Sequence, residues 1–370
     1  YDDAMSNEPR VGVIGAGQLA QMMVEPAHSL GISLTVFAAN SNDSAAQVLP
    51  HVVGDYTDRD AVIAFARTCD ILTFEHELIP REIIEAVEAE GIAVYPSSRA
   101  FKYGQDKALM RAKLVHYPSP QNSVISTANE VSSFPVIAKA ISGGYDGRGV
   151  FKVSDSHELE EIISHTSPLL IEELMDFDAE VAVMVARSVS GEIASWHPVE
   201  TIQENGICIQ TITPARVLTE TQSIEARRMA ESIAESIEVV GVMAVEMFLC
   251  DGKLIINELA LRPHNSGHWS IEGSVTSQFE QHLRAICDMP LGSTELIAPY
   301  AVMGNILGGE VTNPFSQAQV LSTLDSEIAL HDYKKEFRAG RKIGHITQIG
   351  ADLIHLTHSI TAAQSLMMKS

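Results

Sequence analysis

Gly241 to Trp269 read GVMAVEMFLCDGKLIINELALRPHNSGHW, two apolar runs joined by a Cys-Asp-Gly-Lys turn. The density of Val, Ile, Phe and Met is typical of buried strands, and the Asp251-Gly252 step is a strong hairpin signal. A three-residue loop in this hairpin would place Glu246 opposite Glu258. Two opposed carboxylates repel each other and are costly to bury, and a divalent cation held by both would compensate them. The pattern therefore predicts a metal site, unless the register separates the two side chains and leaves one in solvent.

The composition describes an ordinary globular chain of 370 residues, 45% of them hydrophobic. This length favours about two to three domains with well-formed cores. The formal net charge of −23 and the pI near 4.9 argue against non-specific binding to nucleic acid or to an anionic membrane, because the overall field repels both. An anionic ligand must then be held by a local basic site.

The four cysteines are widely spaced and form neither a zinc motif nor a disulfide framework, so we expect reduced core thiols. No run approaches the about eighteen apolar residues that a membrane span requires. The start of the chain, YDDAMSNEPR, lacks the basic and apolar regions of a signal peptide. These features predict a cytoplasmic protein whose residues 1–9 form a polar leader outside any core.

The first third of the chain has the pattern of a nucleotide-binding βαβ unit. Arg10 to Gln21 read RVGVIGAGQLAQ, an apolar strand followed by a glycine turn and a helix, and a second strand fits Ser33–Ala38. A dinucleotide-binding protein would carry an acid at the end of the second strand, but here the first acid is Asp43 in a polar loop. A nicotinamide oxidoreductase is therefore disfavoured. The glycine turn of this Rossmann-like domain serves another anion or only tight packing between strand and helix.

Further segments complete this domain. Additional βα units fit Ala61–Arg67, Ile71–Phe74 and Pro80–Ala89, and a last strand fits Ile92–Tyr95. The sequence Thr-Phe-Glu-His-Glu at 73–77 ends a strand at the carboxyl edge, where open α/β sheets bind ligands. Its acids either contact a ligand or are solvated loop residues.

The middle of the chain contains a glycine-rich segment suited to phosphate. After a predicted helix from Arg99 to Val115 and a hinge at His116–Pro120, the segment Phe134–Val150 reads FPVIAKAISGGYDGRGV. Its glycines allow backbone N–H groups to approach phosphate oxygens, and Lys139 on the adjacent strand supplies a positive charge. The segment joins strand to strand and is no Walker A loop, so it resembles a flap over a nucleotide. The alternative is a glycine-rich hairpin with a surface lysine.

A second apolar strand, LLIEELMDF at Leu169–Phe177, runs into Glu172 and Glu173. Such a strand with a hinge can present backbone N–H and C=O groups to adenine. Glu180 begins the next strand and would suit the ribose diol as a hydrogen-bond acceptor. Each of these acids could equally be an exposed charge at a strand end.

Taken together and in this order, these segments resemble the ATP-grasp superfamily. The features that carry the resemblance are Lys102 with Gln105-Asp106-Lys107, Lys139 with GGYDGRG, Glu172-Glu173, Glu180, Glu246, Glu258 and RPHNSGH. Within the superfamily, GGYDGRG, NEL-x-x-R-x-HNSGH and KEFRAGRKIGH at Lys335–His345 resemble the 5-(carboxyamino)imidazole ribonucleotide synthases of purine biosynthesis. The variant LTFEHELIP is similar to actinobacterial members. The resemblance extends from about Arg10 to about Gly350.

This resemblance implies a fold, a reaction and partners. The fold class is α/β and α+β, with a Rossmann-like domain at 10–98, an ATP-grasp domain at 99–295 with a flap subdomain at about 118–172, and a small C-terminal domain at 296–370. ATP would phosphorylate bicarbonate to carboxyphosphate, which would carboxylate the exocyclic amine of aminoimidazole ribonucleotide. Relatives of this kind are homodimers. The closest alternative is another ATP-grasp ligase of purine biosynthesis, such as a formate-using glycinamide ribonucleotide transformylase. A non-catalytic ATP-binding regulator would be expected to have lost Glu246, Glu258 or Lys139.

The resemblance also implies roles for residues on the ATP side. Glu246 and Glu258 would hold Mg²⁺, or Mn²⁺, on the ATP phosphates. Lys139 would bind the α- and β-phosphates, and Lys102 would act as a second cation. Glu172 and the backbone after it would read adenine, and Glu180 would hold ribose. The remaining ATP contacts are expected from Gly143, Gly144, Gly147, Glu173, Leu174 and Asn257.

On the substrate side, Arg262 is expected to act in catalysis together with Lys139 and Asp146. The basic tail KKEFRAGRK would bind the substrate phosphate, and its alternative is a solvated basic loop. His268 either contacts ligand or simply caps and packs. The expected substrate contacts are Gly15, Gln18, Leu19, Glu75, Tyr145, Asp146, Arg262, His264, Asn265, Ser266, Lys335, Arg341 and Lys342.

Two positions depart from the family pattern. Leu261 stands where the family usually has Pro, and Lys102 stands where many relatives carry Arg, which differs from Lys in bidentate capacity. These departures put the geometry of the substrate site in doubt, not the reaction class.

Overall fold

A computed structural model describes residues 8–143, 149–204 and 206–369 of the protein. Its N-terminal part is a parallel sheet in the order β3-β2-β1-β4-β5. The strands β1 and β2 are almost continuously apolar because helices cover both faces of the sheet. The elements are β1 (Arg10–Ile14), α1 (Gln18–Met22), α2 (Val24–Leu30), β2 (Ser33–Ala38), β3 (His51–Val53), α3 (Arg59–Ala66), β4 (Ile71–Phe74), α4 (Arg81–Ala89) and β5 (Ala93–Val94).

A small antiparallel sheet carries Lys139, the lysine that is predicted to bind phosphate. Its strand order is β6-β9-β7-β8, and Lys139 pairs with Leu170 across β7 and β9. The helix α7 covers one face and buries Leu159 completely. This sheet lies within the range predicted for the flap. The elements are β6 (Asn122–Ile125), β7 (Val136–Ala140), β8 (Val150–Val153), α7 (Ser156–His165) and β9 (Leu169–Glu173).

The largest sheet of the described residues has nine strands in the path β15-β14-β10-β12-β13-β16-β18-β17, with β11 paired to β10. Strand β16 pairs with β13, so the strands beyond residue 296 extend the sheet that carries the hairpin of Glu246 and Glu258. Its strands are β10 (Ala179–Arg187), β11 (Ile193–Ser195), β12 (Val199–Glu204), β13 (Ile207–Thr213), β14 (Gly241–Cys250), β15 (Lys253–Ala260), β16 (Tyr300–Leu307), β17 (Ala329–Asp332) and β18 (Lys342–Gly350).

Within the described residues, seven further helices pack around these sheets. They are α5 (Ser98–Gln105), α6 (Lys107–Lys113), α8 (Glu220–Ser236), α9 (Ser270–Gly273), α10 (Gln278–Ile286), α11 (Ala318–Thr323) and α12 (Leu353–Met368). In the part of the chain that the structure describes, every helix is too short or too polar to span a bilayer.

The prediction of one helix from Arg99 to Val115 is wrong. The helix ends at Gln105, and a second helix begins at Lys107. Between them Asp106 is extended (φ −128°, ψ 107°), and its carboxylate caps the second helix by accepting from the Leu109 N–H at 2.8 Å. The break redirects the chain, so that Lys107 is buried rather than exposed along a continuous helix.

Candidate active site

The hairpin of β14 and β15 places Glu246 directly opposite Glu258. The turn has two residues, Asp251 and Gly252, with φ of 48° and 75°, and not the three residues that would by themselves oppose the two glutamates. A two-residue turn alone would pair Glu246 with Asn257. A β-bulge adds one residue on β15, at Asn257, and shifts Glu258 into register. The two carboxylates therefore lie opposite each other as expected, but a two-residue turn and a bulge bring them together instead of a three-residue loop.

Each of these carboxylates has a basic partner. Glu258 forms an ion pair with the Lys107 ammonium group, and Glu246 Oε1 lies 3.0 Å from His264 Nε2. His264 Nδ1 accepts from the Ser266 N–H, so Nε2 carries the proton that is donated to Glu246. Lys102, which was expected as the second cation, is not brought to this cluster. Its ammonium group lies 5.0 Å from the centre of the Tyr103 ring, and Lys107 lies beside the metal carboxylate instead.

The charge balance of this cluster suits a divalent cation. Burial opposes ionisation of Glu246, but the hydrogen bond from His264 and the charges of Lys107 and Arg262 lower its pKa. Burial and the negative charge of Glu246 raise the pKa of Glu180 to about 7. Three carboxylates thus share a site with too little positive charge for all of them. Hard oxygen ligands with excess negative charge fit Mg²⁺ or Mn²⁺.

We expect Glu180→Gln to stabilise the metal-free protein at pH 8 but not at pH 4.5. Because the folded-state pKa of Glu180 is raised, its ionisation costs stability progressively from about pH 4.5 to about pH 7, and the full cost remains above that. With allowance for partial solvent access, the gain at pH 8 is about 2 kcal/mol. Urea unfolding at the two pH values measures it, and a gain of equal size at both would refute the electrostatic explanation.

A buried network of three charges supports the phosphate side. Lys139 Nζ lies 2.6 Å from Glu172 Oε2, and Arg111 Nε lies 2.6 Å from Glu172 Oε1. Arg111 also donates to the backbone oxygens of Ile256 (3.0 Å) and Asn257 (2.7 Å), and Lys139 donates to Asn257 Oδ1 (3.0 Å). The Glu172 carboxylate was expected to read adenine, but it holds the two cations. The network therefore joins β9, β7 and the bulge of the metal hairpin.

The other residues expected around ATP are distributed as follows. Glu173 is exposed and accepts from the Gln121 N–H at 2.8 Å, and Leu174 is also exposed. Gly143, with φ of 78°, lines the cavity described below together with substrate-side residues. Gly144, Tyr145, Asp146 and Gly147 lie outside the described residues.

A cavity of about 390 Å³ lies beside the hairpin, where β15 leads into the HNSGH segment. The Rossmann-like domain, the start of the flap and the basic tail all contribute to its wall. Of the expected substrate contacts, those in the wall are Gly15, Gln18, Leu19, Glu75, Arg262, His264, Asn265, Lys335, Arg341 and Lys342. Ser266 is not in the wall, because it is buried and its hydroxyl lies 2.8 Å from His264 Nδ1.

Polar partners fix the side chains that enter this cavity from β15 and the loop after it. Arg262 Nε donates to Glu77 Oε2 at 2.7 Å, and the Leu261 N–H donates to Glu77 Oε1 at 3.2 Å. Asn265 and the fully buried Asn305 exchange two amide hydrogen bonds, of 2.9 and 2.7 Å. The guanidinium and amide groups therefore have set orientations before any ligand arrives.

The glycine turn of the Rossmann-like domain already holds an anion of the protein itself. The Glu75 carboxylate accepts from the backbone N–H groups of Gly17 and Leu19. Burial raises the pKa of Glu75 despite these bonds and the positive charges of Lys335 and Arg262. A side chain at Gly17 would collide with this carboxylate. The turn and Glu75 thus form one structural unit at the wall of the cavity.

Several residues of the site were missed from sequence. Arg111 lies one turn after Lys107 in a short helix, so i,i+4 spacing from a motif lysine was the available signal. Glu77 lies in the quoted strand-end motif, but nothing local indicated a bond to Arg262. Asn305 is 40 residues from Asn265 in the sequence, and no local pattern indicated that the two amides pair. His268, which was left open, is fully buried and its Nδ1 bonds Gln278, so it packs.

Comparisons with known proteins identify the family. Family profiles match at 9–105 (ribonucleotide synthetase preATP-grasp domain), 108–279 (ATP-grasp domain) and 301–359 (phosphoribosylaminoimidazole carboxylase C-terminal domain). The N5-carboxyaminoimidazole ribonucleotide synthase of Mycobacterium tuberculosis is 41% identical over 365 residues, which cover 94% of this chain and 85% of that protein. The enzyme of the same name from Corynebacterium ammoniagenes is 40% identical over 369 residues, covering 93% and 88%.

A solved structure is similar over nearly the whole chain. It is the N5-carboxyaminoimidazole synthase of Aspergillus clavatus in complex with ADP and 5-aminoimidazole ribonucleotide, with a TM-score of 0.88 and 32% identity. The match covers 98% of this chain and 99% of that one. The predicted fold class and the predicted resemblance are confirmed. The chain therefore belongs to the N5-carboxyaminoimidazole ribonucleotide synthase family of ATP-grasp ligases.

Proposed function

We propose that the protein uses ATP and bicarbonate to carboxylate the exocyclic amine of 5-aminoimidazole ribonucleotide, releasing ADP and phosphate. One observation carries this proposal: the hairpin that opposes Glu246 and Glu258 runs directly into Arg262, His264 and Asn265 in the wall of the cavity. A nucleotide phosphate held at the carboxylates and an acceptor held in the cavity would therefore be neighbours. Such proximity is what transfer of an activated carboxyl group requires.

The first step is phosphoryl transfer to bicarbonate. A bicarbonate oxygen attacks the γ-phosphorus, the bond to the β-phosphate oxygen breaks, and carboxyphosphate and ADP form. Mg²⁺ or Mn²⁺ held by Glu246 and Glu258 would neutralise the charge on the transferring phosphoryl group. Lys139 and Lys107, which the structure holds beside Asn257 and Glu258, would supply fixed positive charge to the phosphates.

The second step is attack of the substrate amine on the carboxyl carbon of carboxyphosphate. The new C–N bond forms as phosphate leaves, and the amine loses a proton. Arg262 is held by Glu77 at the edge of the cavity next to the metal hairpin, so its guanidinium can contact the carboxyl or phosphate oxygens in this step. Closure of the glycine-rich loop of the flap, whose residues Ser142 and Gly143 are in the cavity wall, would protect carboxyphosphate from water.

The phosphate of the ribonucleotide is assigned to the basic tail. Lys335, Arg341 and Lys342 line the same cavity in a chain whose net charge is −23. A local cluster of cations is what an acidic protein needs to capture an anionic substrate.

Lys335→Ala should raise the KM for the ribonucleotide roughly tenfold and leave kcat largely unchanged, because one charge-assisted hydrogen bond to the substrate is lost. Steady-state assays with varied ribonucleotide at saturating ATP measure both constants. Lys253→Ala, at the exposed hairpin turn, is the matched control. An unchanged KM for the ribonucleotide in Lys335→Ala would favour the alternative that the tail is a solvated basic loop without a role in substrate binding.

The assay that tests the whole proposal is phosphate release from Mg-ATP with bicarbonate and aminoimidazole ribonucleotide supplied separately and together. We expect full turnover only with both. ADP formation indifferent to both would refute carboxylation, stimulation by formate and glycinamide ribonucleotide would favour the transformylase, and no turnover under any condition would favour a regulator. We also propose that the protein acts as a homodimer, and light scattering tests this. We place the protein in the cytoplasm because its co-substrate is ATP.

A further inference from the structure

Two histidines and a glutamate converge behind the substrate cavity, outside the groups used above. His331 on β17 and His345 on β18 are direct cross-strand partners, and their rings stack with centroids 4.3 Å apart. Glu272 on α9 approaches from a third element, with Oε1 2.6 Å from His331 Nε2. One donor atom from each of the three residues lies within 4.8 Å of the others. The fold thus brings an imidazole pair and a carboxylate to one point.

This cluster has unsatisfied acceptors. His345 is fully buried, its Nδ1 lies 2.8 Å from the Tyr333 hydroxyl, and its Nε2 has no hydrogen-bond partner among the described residues. Glu272 Oε2 is also buried without a partner in the described part of the chain. Buried polar atoms almost always have partners, so these two atoms are available to a ligand. In the tautomer that donates Nδ1–H to the Tyr333 hydroxyl, Nε2 presents a lone pair beside the carboxylate.

We propose that Glu272, His331 and His345 bind a transition-metal ion of the Zn²⁺ class, separate from the nucleotide-bound Mg²⁺. Two imidazoles, one carboxylate and a water form a common four-coordinate set for Zn²⁺, whereas Mg²⁺ prefers oxygen ligands. Tyr333 would orient His345 through its second ring nitrogen, as outer hydrogen bonds do at metal sites.

The ion can reach the site from solvent, and its binding must reorient the imidazole rings. The side chains of Glu272 and His331 are 20% and 26% exposed, so the site opens to solvent on that side. Tetrahedral bonds of about 2 Å place ligand atoms roughly 3.4 Å apart, so the 2.6 Å contact between His331 Nε2 and Glu272 Oε1 must open. The ring planes are 9° from parallel, and lone pairs in two stacked rings lie in separate planes and cannot both point at one ion. Binding therefore turns at least one imidazole out of the stack. The two imidazole rings are therefore no longer stacked in the bound state.

An ion at this position would stabilise the segment between β17 and β18. Residues 333–341, between the two histidine strands, carry Lys335 and Arg341 into the substrate cavity. An ion that joins β17, β18 and α9 would fasten both ends of this segment. We therefore expect Zn²⁺ to raise the melting temperature of the full chain, besides any effect on catalysis.

The test is a titration of the chelator-treated full-length protein with Zn²⁺ by calorimetry, in excess Mg²⁺ so that Glu246 and Glu258 are occupied. We expect one site per chain. His331→Gln and Glu272→Gln should each weaken Zn²⁺ binding at least about tenfold, and His28→Gln, at an exposed helix position, should not. Co²⁺ should give visible d–d absorption in the wild type and in His28→Gln but not in His331→Gln.

Two results would overturn the proposal. One is a wild-type protein that does not bind Zn²⁺, in which case the orphaned atoms bind water. The other is equal Zn²⁺ affinity in His331→Gln, which would place the ion on other histidines. His331→Gln and Glu272→Gln each change a partly exposed side chain. Circular dichroism and thermal melting show whether each variant folds before its titration is interpreted.

Discussion

Glu258→Gln should lower kcat by about 1,000-fold or more and leave the fold intact. The substitution removes the charge that would hold the metal on the ATP phosphates and also the partner of the buried Lys107. The side chain keeps its size, and the bulge at Asn257 depends on backbone pairing rather than on the carboxylate. Steady-state phosphate release measures the loss, and binding of Mn²⁺ in the presence of ADP, followed by electron paramagnetic resonance, measures the metal separately.

Glu204→Gln is the matched control for this substitution, because Glu204 is an exposed glutamate on the same sheet. It should retain the wild-type rate and wild-type Mn²⁺ binding. A Glu258→Gln protein with wild-type turnover would remove the metal assignment. Loss of turnover with unchanged Mn²⁺ binding would assign Glu258 to the pairing of Lys107 instead.

Arg111→Met should lower the free energy of unfolding by about 3–5 kcal/mol, because it removes one partner from a buried charge network. The side chain of Arg111 is only 2% exposed, and its guanidinium bonds Glu172 and two carbonyl groups of β15. Without it, Glu172 retains only Lys139, and the bulge loses the donors that hold it to α6. We therefore also expect weaker ADP binding, since the lysine of β7 is positioned by the same network.

Denaturant unfolding and ADP titration measure the two effects. Arg67→Met is the matched control, since Arg67 makes an exposed ion pair with Glu90 and should change stability by no more than about 1 kcal/mol. Arg111→Lys keeps the charge but not the fork of donors, so it should fall between Arg111→Met and the wild type. An unfolding free energy of Arg111→Met equal to that of the control would show that the network contributes no stability.

Local pattern was sufficient for the elements whose burial is regular. The strand predicted at Ser33–Ala38 has those bounds in the structure, and the strand of Lys139 and the opposed glutamates of the hairpin are also found. Strand β3 was missed because all three of its residues are exposed at the sheet edge, so no buried face marks it. The helix break at Asp106 was missed because an aspartate inside a charged helix gives no clear stop signal, although it suits an N-cap.

The site shows the same division. Residues that follow one another on the hairpin, such as Glu258 and Arg262, could be assigned together because the chain itself sets their spacing. The choice between Lys102 and Lys107 could not be made this way, since both are lysines of one predicted helix and only the break turns Lys107 inward. The partners Arg111, Glu77 and Asn305 are separated from their contacts by between 40 and 185 residues, and no local pattern reports such distances.

The sequence by itself identified the family, because Lys139, the glycine-rich segment, Glu246, Glu258 and the basic tail occur in an order that resembles the ATP-grasp ligases of purine biosynthesis. Tertiary structure decided how these groups are held. It built the hairpin from a two-residue turn and a bulge, paired Glu172 with two cations, filled the glycine turn with Glu75, and brought Glu272, His331 and His345 together. The physical reason is that charge compensation and hydrogen bonding of buried groups act through space, whereas sequence patterns record only neighbours along the chain.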